Sequence, residues 1–123
     1  MPVPILILAT DPVVRETLRR PAEEFGRVAT THKPALAIYL AAVHEPLVVV
    51  LDLDVVPHDG RSGLVSTLRA RFKAAVIGVG DRATLRGADG LGLAAMVAKP
   101  IDVGSFMVEL DRLLSESAET HGR

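Results

Sequence analysis

The chain has 123 residues, nearly half of them apolar, and its 14 basic and 15 acidic side chains leave a net charge of -1. That balance removes the basic footprint expected of a nucleic-acid binder. The absence of cysteine excludes disulfides, thiolate metal sites and a cysteine nucleophile together.

The length suits one domain with a core of its own, and that core is expected to be aliphatic because the chain is aromatic-poor and lacks tryptophan. The start, MPVPILILATDP, lacks a basic n-region and meets Asp11 too soon for a signal peptide. The longest apolar stretch, residues 35–43, falls short of the ~20 residues a membrane span requires. A soluble, cytoplasmic protein with neither nucleic acid nor membrane as partner is expected.

Residues 5–9 are an apolar run ended by Thr10, Asp11 and Pro12. An Asp N-cap followed by Pro at the first helical position starts a helix. Its apolar face is Val14, Leu18, Ala22 and Phe25, with Glu16 and Arg20 placed to pair outside. Pro21 is expected to kink or split this helix, and Gly26 to close it before a short strand over residues 27–31. Pro34 opens a second helix that runs to His44 and stops before Pro46. Residues 35–43 are apolar on every side. Their alanines satisfy helix propensity, and a sharper alternative has Tyr39 and its neighbours covered by a partner.

The stretch VVVLDLDVVPHDG, residues 48–60, organises the rest. Its apolar run reads as a strand buried on both faces, ending in Asp52 at the carboxyl edge of a sheet, where open α/β folds place their chemistry. Leu64, Val65, Leu68 and Phe72 mark a third helix, with Arg69, Arg71 and Lys73 on its solvated side. Residues 75–79 form a fourth strand ended by Gly80 and Asp81. The glycines at 87, 90 and 92 make the following element short or poorly formed. Residues 94–98 form a fifth strand ended by Lys99 and Pro100. Asp102 then caps a last helix with an inner stripe of Val103, Phe106, Met107, Leu110, Leu113 and Leu114. Residues 1–117 are read as one domain and 118–123 as a flexible tail. Five alternations of strand and helix require right-handed crossovers and a parallel sheet with helices on both sides.

These residues resemble the response regulator receiver domain over nearly the whole chain. The supporting pieces are ILILATDPVVR at the start, EPLVVVLD with Asp59 and Gly60 trailing it, and AKPID before the last helix. The resemblance implies a single doubly wound (βα)5 domain with a five-stranded parallel sheet in flavodoxin-like order, and a signalling role rather than an enzyme. It places the phospho-accepting aspartate at Asp52. Lys99 then becomes the lysine that pairs with that aspartate and with an incoming phosphoryl oxygen, and the Lys99-Pro100 bond is implied to be cis.

The departures from the pattern carry the functional expectation. The acidic pair that holds Mg²⁺ in the family falls on Ala9 and Thr10, the hydroxyl residue of the fourth strand on Gly80, and the aromatic switch partner on Met96. Pro57 stands one position later than the family's loop proline. A complete receiver site carries three carboxylates and one lysine, whereas here only Asp52 and Lys99 align, for a formal charge of zero. Two unit charges 4 Å apart attract by about 4 kcal/mol at an effective dielectric of 20, so that pair needs no metal. Mg²⁺ is therefore disfavoured and no cofactor is expected.

Without the metal and the hydroxyl, Lys99 must neutralise a transferring phosphoryl group nearly alone. Weak or no phosphorylation of Asp52 and a pseudo-receiver acting through protein contacts are expected. Implied partners are a histidine kinase, a separate output protein or a second copy. In the family the surface of the fourth helix, fifth strand and fifth helix engages them. The chain carries no output domain after the receiver-like part, so the effector is separate or the chain is an excised receiver.

Two alternatives stay open. One is a genuine phospho-accepting receiver at Asp52 with a displaced metal site. Asp54 is the best-placed substitute acid for it, two residues on along the same strand face, and Asp11, Asp59 and Asp81 are weaker because Asp11 suits a helix cap and Asp59 a turn. The other is a small α/β enzyme or ligand-binding domain using Asp52, Asp54 and Lys99 under a closed pocket. No phosphate-binding loop, metal-ligand histidine spacing or nucleophile elbow is present, and His58 reads as an exposed loop residue.

Overall fold

The computed structural model describes residues 3–121, with the side chains of 118–121 outside the described set. Twelve short elements run along the chain in the order β1 Ile5–Leu8, α1 Pro12–Ala22, β2 Val28–Thr31, a 3₁₀ turn Pro34–Leu36, α2 Ala37–His44, β3 Val48–Asp52, a 3₁₀ turn Leu53–Val55, α3 His58–Ala70, β4 Ala75–Gly80, α4 Arg82–Arg86, β5 Ala95–Ala98 and α5 Val103–His121. The five strands form one parallel sheet in the order β2-β1-β3-β4-β5, which is the flavodoxin-like order.

The β3 run is buried at every position, as a central parallel strand with both faces covered must be. Alternate residues then divide between two cores. Ile5, Ile7, Val48, Val50, Ile77 and Val79 pack under α1 and α5 against Leu18, Phe106 and Leu110. Leu6, Leu8, Val49, Leu51 and Val76 face the other way, onto Ala37 and Ala41 of α2 and Val65 and Leu68 of α3. The period of two along each strand is what separates the layers.

Local signals act as their chemistry requires. Asp11 caps α1 by accepting from the Val13 amide at 2.8 Å, and Asp102 accepts from the Ser105 amide at 3.2 Å before α5. Pro21 neither kinks nor splits α1, because it lies in the last turn and the helix ends one residue later. Arg19, not Arg20, pairs with Glu16, and it also meets Glu23 across the next turn. α2 opens with a 3₁₀ turn, buries Ala37 and Ala41, and leaves Tyr39 and Val43 exposed.

α4 has only five residues before Gly87, in keeping with the glycines that follow it. In α5, Phe106, Leu110 and Leu113 are buried, whereas Val103 is exposed at the first turn. The α5 backbone stays helical to His121, and the expectation of a tail over 118–123 otherwise concerns side chains and residues outside the described set.

Candidate functional site

The carboxyl edge of the sheet gathers the ends of β3, β4 and β5. Asp52 is the last residue of β3 and is fully buried, while Lys99 follows β5 directly. The Lys99 amide bonds the Gly80 carbonyl at 2.9 Å, which carries the β4–β5 pairing one step past β5 and fixes the root of the lysine. The Lys99-Pro100 peptide is cis. From that anchor the Lys99 ammonium donates to Asp52 Oδ1 at 3.0 Å and to Oδ2 at 2.9 Å.

Asp54 joins this pair in a way the strand-face expectation does not anticipate. β3 ends at Asp52 and Leu53–Val55 turn as 3₁₀ helix, so Asp54 is not on the strand at all. The Asp52 side chain makes the turn, its Oδ1 accepting from the Asp54 amide at 3.1 Å. The Arg61 guanidinium of α3 braces the same turn by donating to the carbonyls of Leu53 and Val56 at 3.2 and 3.1 Å. Asp54 is thereby brought to the Lys99 ammonium, with its Oδ2 at 2.9 Å, and its carboxylate also accepts from the Asp81 amide at 3.1 Å. Counting Asp54, the formal charge of the cluster is -1 rather than zero.

Burial opposes the charge on Asp54, but bonds from the Thr84 hydroxyl, the Lys99 ammonium and the Asp81 amide outweigh it and hold its carboxyl below the usual range. Burial likewise opposes the Lys99 charge, and the bonds to Asp52 and Asp54 outweigh that and raise the ammonium's pKa. No buried side-chain polar atom among the described residues lacks a partner.

The other positions of interest stand around this cluster. Ala9 is buried and brings no donor atom from its side chain, and the Thr10 hydroxyl turns away to donate to the His32 carbonyl at 3.0 Å. Their own carbonyls accept from the Arg15 guanidinium at 3.0 and 3.3 Å. Gly80 faces Asp54, Met96 is exposed on β5, and Asp11 and Asp81 are occupied as the caps of α1 and α4. The sequence pattern does not single out Arg15, Arg61 or Thr84. A helical position four residues after a cap (Arg15) or three after one (Thr84) is a weak signal that the two side chains can turn back toward the strand ends.

The Mg²⁺ that the receiver pattern implies does not suit these residues. Mg²⁺ takes six oxygens in near-octahedral array. Here both Asp52 oxygens and one Asp54 oxygen accept from an ammonium, and a guanidinium rather than a carboxylate stands at the end of β1.

No family model matches the chain, and no curated protein matches it in sequence. Solved structures do match. A response regulator receiver modulated diguanylate cyclase from Pelobacter carbinolicus is 17% identical, with a TM-score of 0.79 over 97% of each chain. The N-terminal domain of an uncharacterized protein from Wolinella succinogenes is 22% identical, with a TM-score of 0.79 over 98% of this chain and 100% of that one. NtrX from Brucella abortus, in complex with ADP, is 17% identical with a TM-score of 0.77, and the match spans 99% of this chain but 28% of NtrX. The chain has the fold of response regulator receiver domains.

Proposed function

We propose that this chain is a receiver-like signalling module of a two-component system, acting in the cytoplasm through protein contacts and without efficient Mg²⁺-dependent phosphorylation of Asp52. The observation that carries this reading is the Lys99 ammonium, held by both Asp52 oxygens and by Asp54. An ammonium has three protons, and all three have acceptors within the cluster. A transferring phosphoryl group needs its equatorial oxygens neutralised, and the group best placed to do so is already engaged.

The expected partners are a histidine kinase, a separate output protein or a second copy. The exposed Met96 supports a contact on the β5 side of the domain. A 760 Å³ groove lies there between β5 and α5, lined by Met96, Ala98, Pro100, Ser105, Val108 and Glu109 among others. Asp52, Asp54 and Lys99 do not line it, which counts against an enzyme whose pocket is built on those three. No described helix is long and apolar enough to cross a membrane.

A phospho-accepting receiver is the second reading, favoured by Asp52 ending β3 at the carboxyl edge of the parallel sheet. Incubation with a small-molecule phosphodonor and Mg²⁺, followed by intact mass measurement, decides between the two. An unchanged mass is expected, and rapid stoichiometric gain of one phosphoryl group overturns the proposal.

A further inference from the structure

We infer that Asp54 is a tethered oxyanion that joins Lys99 to the start of α4 and so latches the β4–α4 connection. This deepens the reading of the site as one that works without phosphorylation. The geometry itself stands apart from that reading.

The Asp54 carboxylate draws two donors from two different parts of the chain, the Lys99 ammonium after β5 and the Asp81 amide after β4, where α4 begins. Such charge-assisted bonds are stronger than neutral ones. Any oxyanion carried by Asp52 would have to compete for the same ammonium. The turn that presents Asp54 is closed from the Asp52 side chain itself, so the buried acid and the tethered one are set by a single local structure.

Gly80 provides the room. A β-carbon at this position would stand 3.2 Å from Asp54 Oδ1 and 3.2 Å from Thr84 Cγ2, tighter than ordinary contact. The absence of a side chain at position 80 thus leaves room for the acid at position 54. The element being held is short and anchored to the core mainly through Leu85. α4 has five residues, none of them buried, and its cap is Asp81, whose amide is one of the donors to Asp54. A helix this short does not persist on its own propensity. Releasing Asp54 would free Arg82, Leu85 and Arg86, which with Asp89 and Met96 line a groove on the β5 side, so the state of the latch is written on an exposed surface.

The test is amide hydrogen exchange on the full chain, comparing the native sequence with Asp54→Ala and Asp54→Asn, together with the NMR signal of the Lys99 ammonium. In Asp54→Ala, exchange at the Asp81 amide and over residues 82–86 should rise about tenfold or more, while β1 and β3 keep their protection. Asp54→Asn keeps an acceptor of the same size but loses the charge. It should shift the Lys99 ammonium signal and give an intermediate rise, and it carries the test if Asp54→Ala does not fold. Native protection at 81–86 in a folded Asp54→Ala, or a native Lys99 signal and native protection together in Asp54→Asn, overturns the latch. Phosphorylation of the native chain would overturn the functional proposal and leave these exchange results to be judged separately.

Discussion

Gly80 and Asp54 face each other across a gap that a single methyl group would nearly close, with the position of a β-carbon at 80 lying 3.2 Å from Asp54 Oδ1. The relationship is steric in one direction and electrostatic in the other. The missing side chain admits the carboxylate, and the carboxylate then takes the Lys99 ammonium and the Asp81 amide.

Restoring a side chain at that point should therefore act locally. Gly80→Ser places its β-carbon against the ends of Asp54 and Thr84, two side chains able to yield by a few tenths of an ångström. The reduced backbone freedom of the unfolded chain offsets part of the crowding, so global stability should change by no more than about 1 kcal/mol. Protection of the Asp81 amide should fall even so. Denaturant unfolding and hydrogen exchange on the same sample check both halves, and an unfolded variant or an unaltered Asp81 amide would contradict the packing described.

Lys99→Met should be far more costly than its exposure suggests. It leaves Asp52 fully buried with no cationic partner, and orphaning a buried charge is strongly destabilising. A loss of about 2 to 3 kcal/mol is expected, below the full cost of such an orphan because a quarter of the Lys99 side chain is reached by water. Combining Lys99→Met with Asp52→Asn removes the orphaned charge, so the double variant should be more stable than Lys99→Met alone. Urea midpoints for the four members of this cycle give the coupling directly, and strictly additive losses would show that the pair is not coupled.

Much of this fold is legible in the order of its residues. The β-branched run before Asp52, the Asp11-Pro12 and Asp102 helix starts and the glycines after α4 are local signals, and each acts where it stands. Asp52 is legible because it closes an apolar run at the edge of a parallel sheet, whereas the pairing of Lys99 with it is legible only through the resemblance to the receiver pattern. Asp54 is visible as an acid but misplaced by its pattern, since the alternation of a strand does not continue past the point where Asp52 itself bends the chain into a 3₁₀ turn. Arg15, Arg61 and Thr84 escape notice for a different reason. Each acts by side-chain reach from a helix back to a strand end, and periodicity records which face a residue occupies rather than how far its side chain extends.

The cluster predicts a stability profile with two limbs. Burial raises the Asp54 pKa, but the Thr84, Lys99 and Asp81 bonds together lower it below the ordinary 3.8, so its contribution is complete above that value and is lost as pH falls through the folded value. For Lys99, burial lowers the pKa, but the bonds to Asp52 and Asp54 raise it above the ordinary 10.5. Its contribution is complete below that value and is lost as pH rises through the folded value. Urea midpoints should therefore form a plateau through neutral pH with a decline at each end. Asp54→Asn should remove part of the acid decline, and an acid limb superimposable on the native one would remove Asp54 from its cause.

Magnesium provides the last test, because binding to the folded state alone must raise stability by mass action. A site filled at a hundred times its dissociation constant adds about 2.7 kcal/mol. The donor atoms that would form such a site here are taken by Lys99, and Arg15 places positive charge at the end of β1. Millimolar Mg²⁺ should thus leave Tm unchanged beyond the effect of matched ionic strength, and calorimetric titration should show no site-specific heat. Removing the competing cation alters the prediction: in Lys99→Met the two carboxylates of Asp52 and Asp54 stand without a counter-charge, and a divalent ion should then recover some of the lost stability. A rise in Tm with Mg²⁺ in the native chain that Asp54→Ala abolishes would mean that Asp54 holds metal, not lysine.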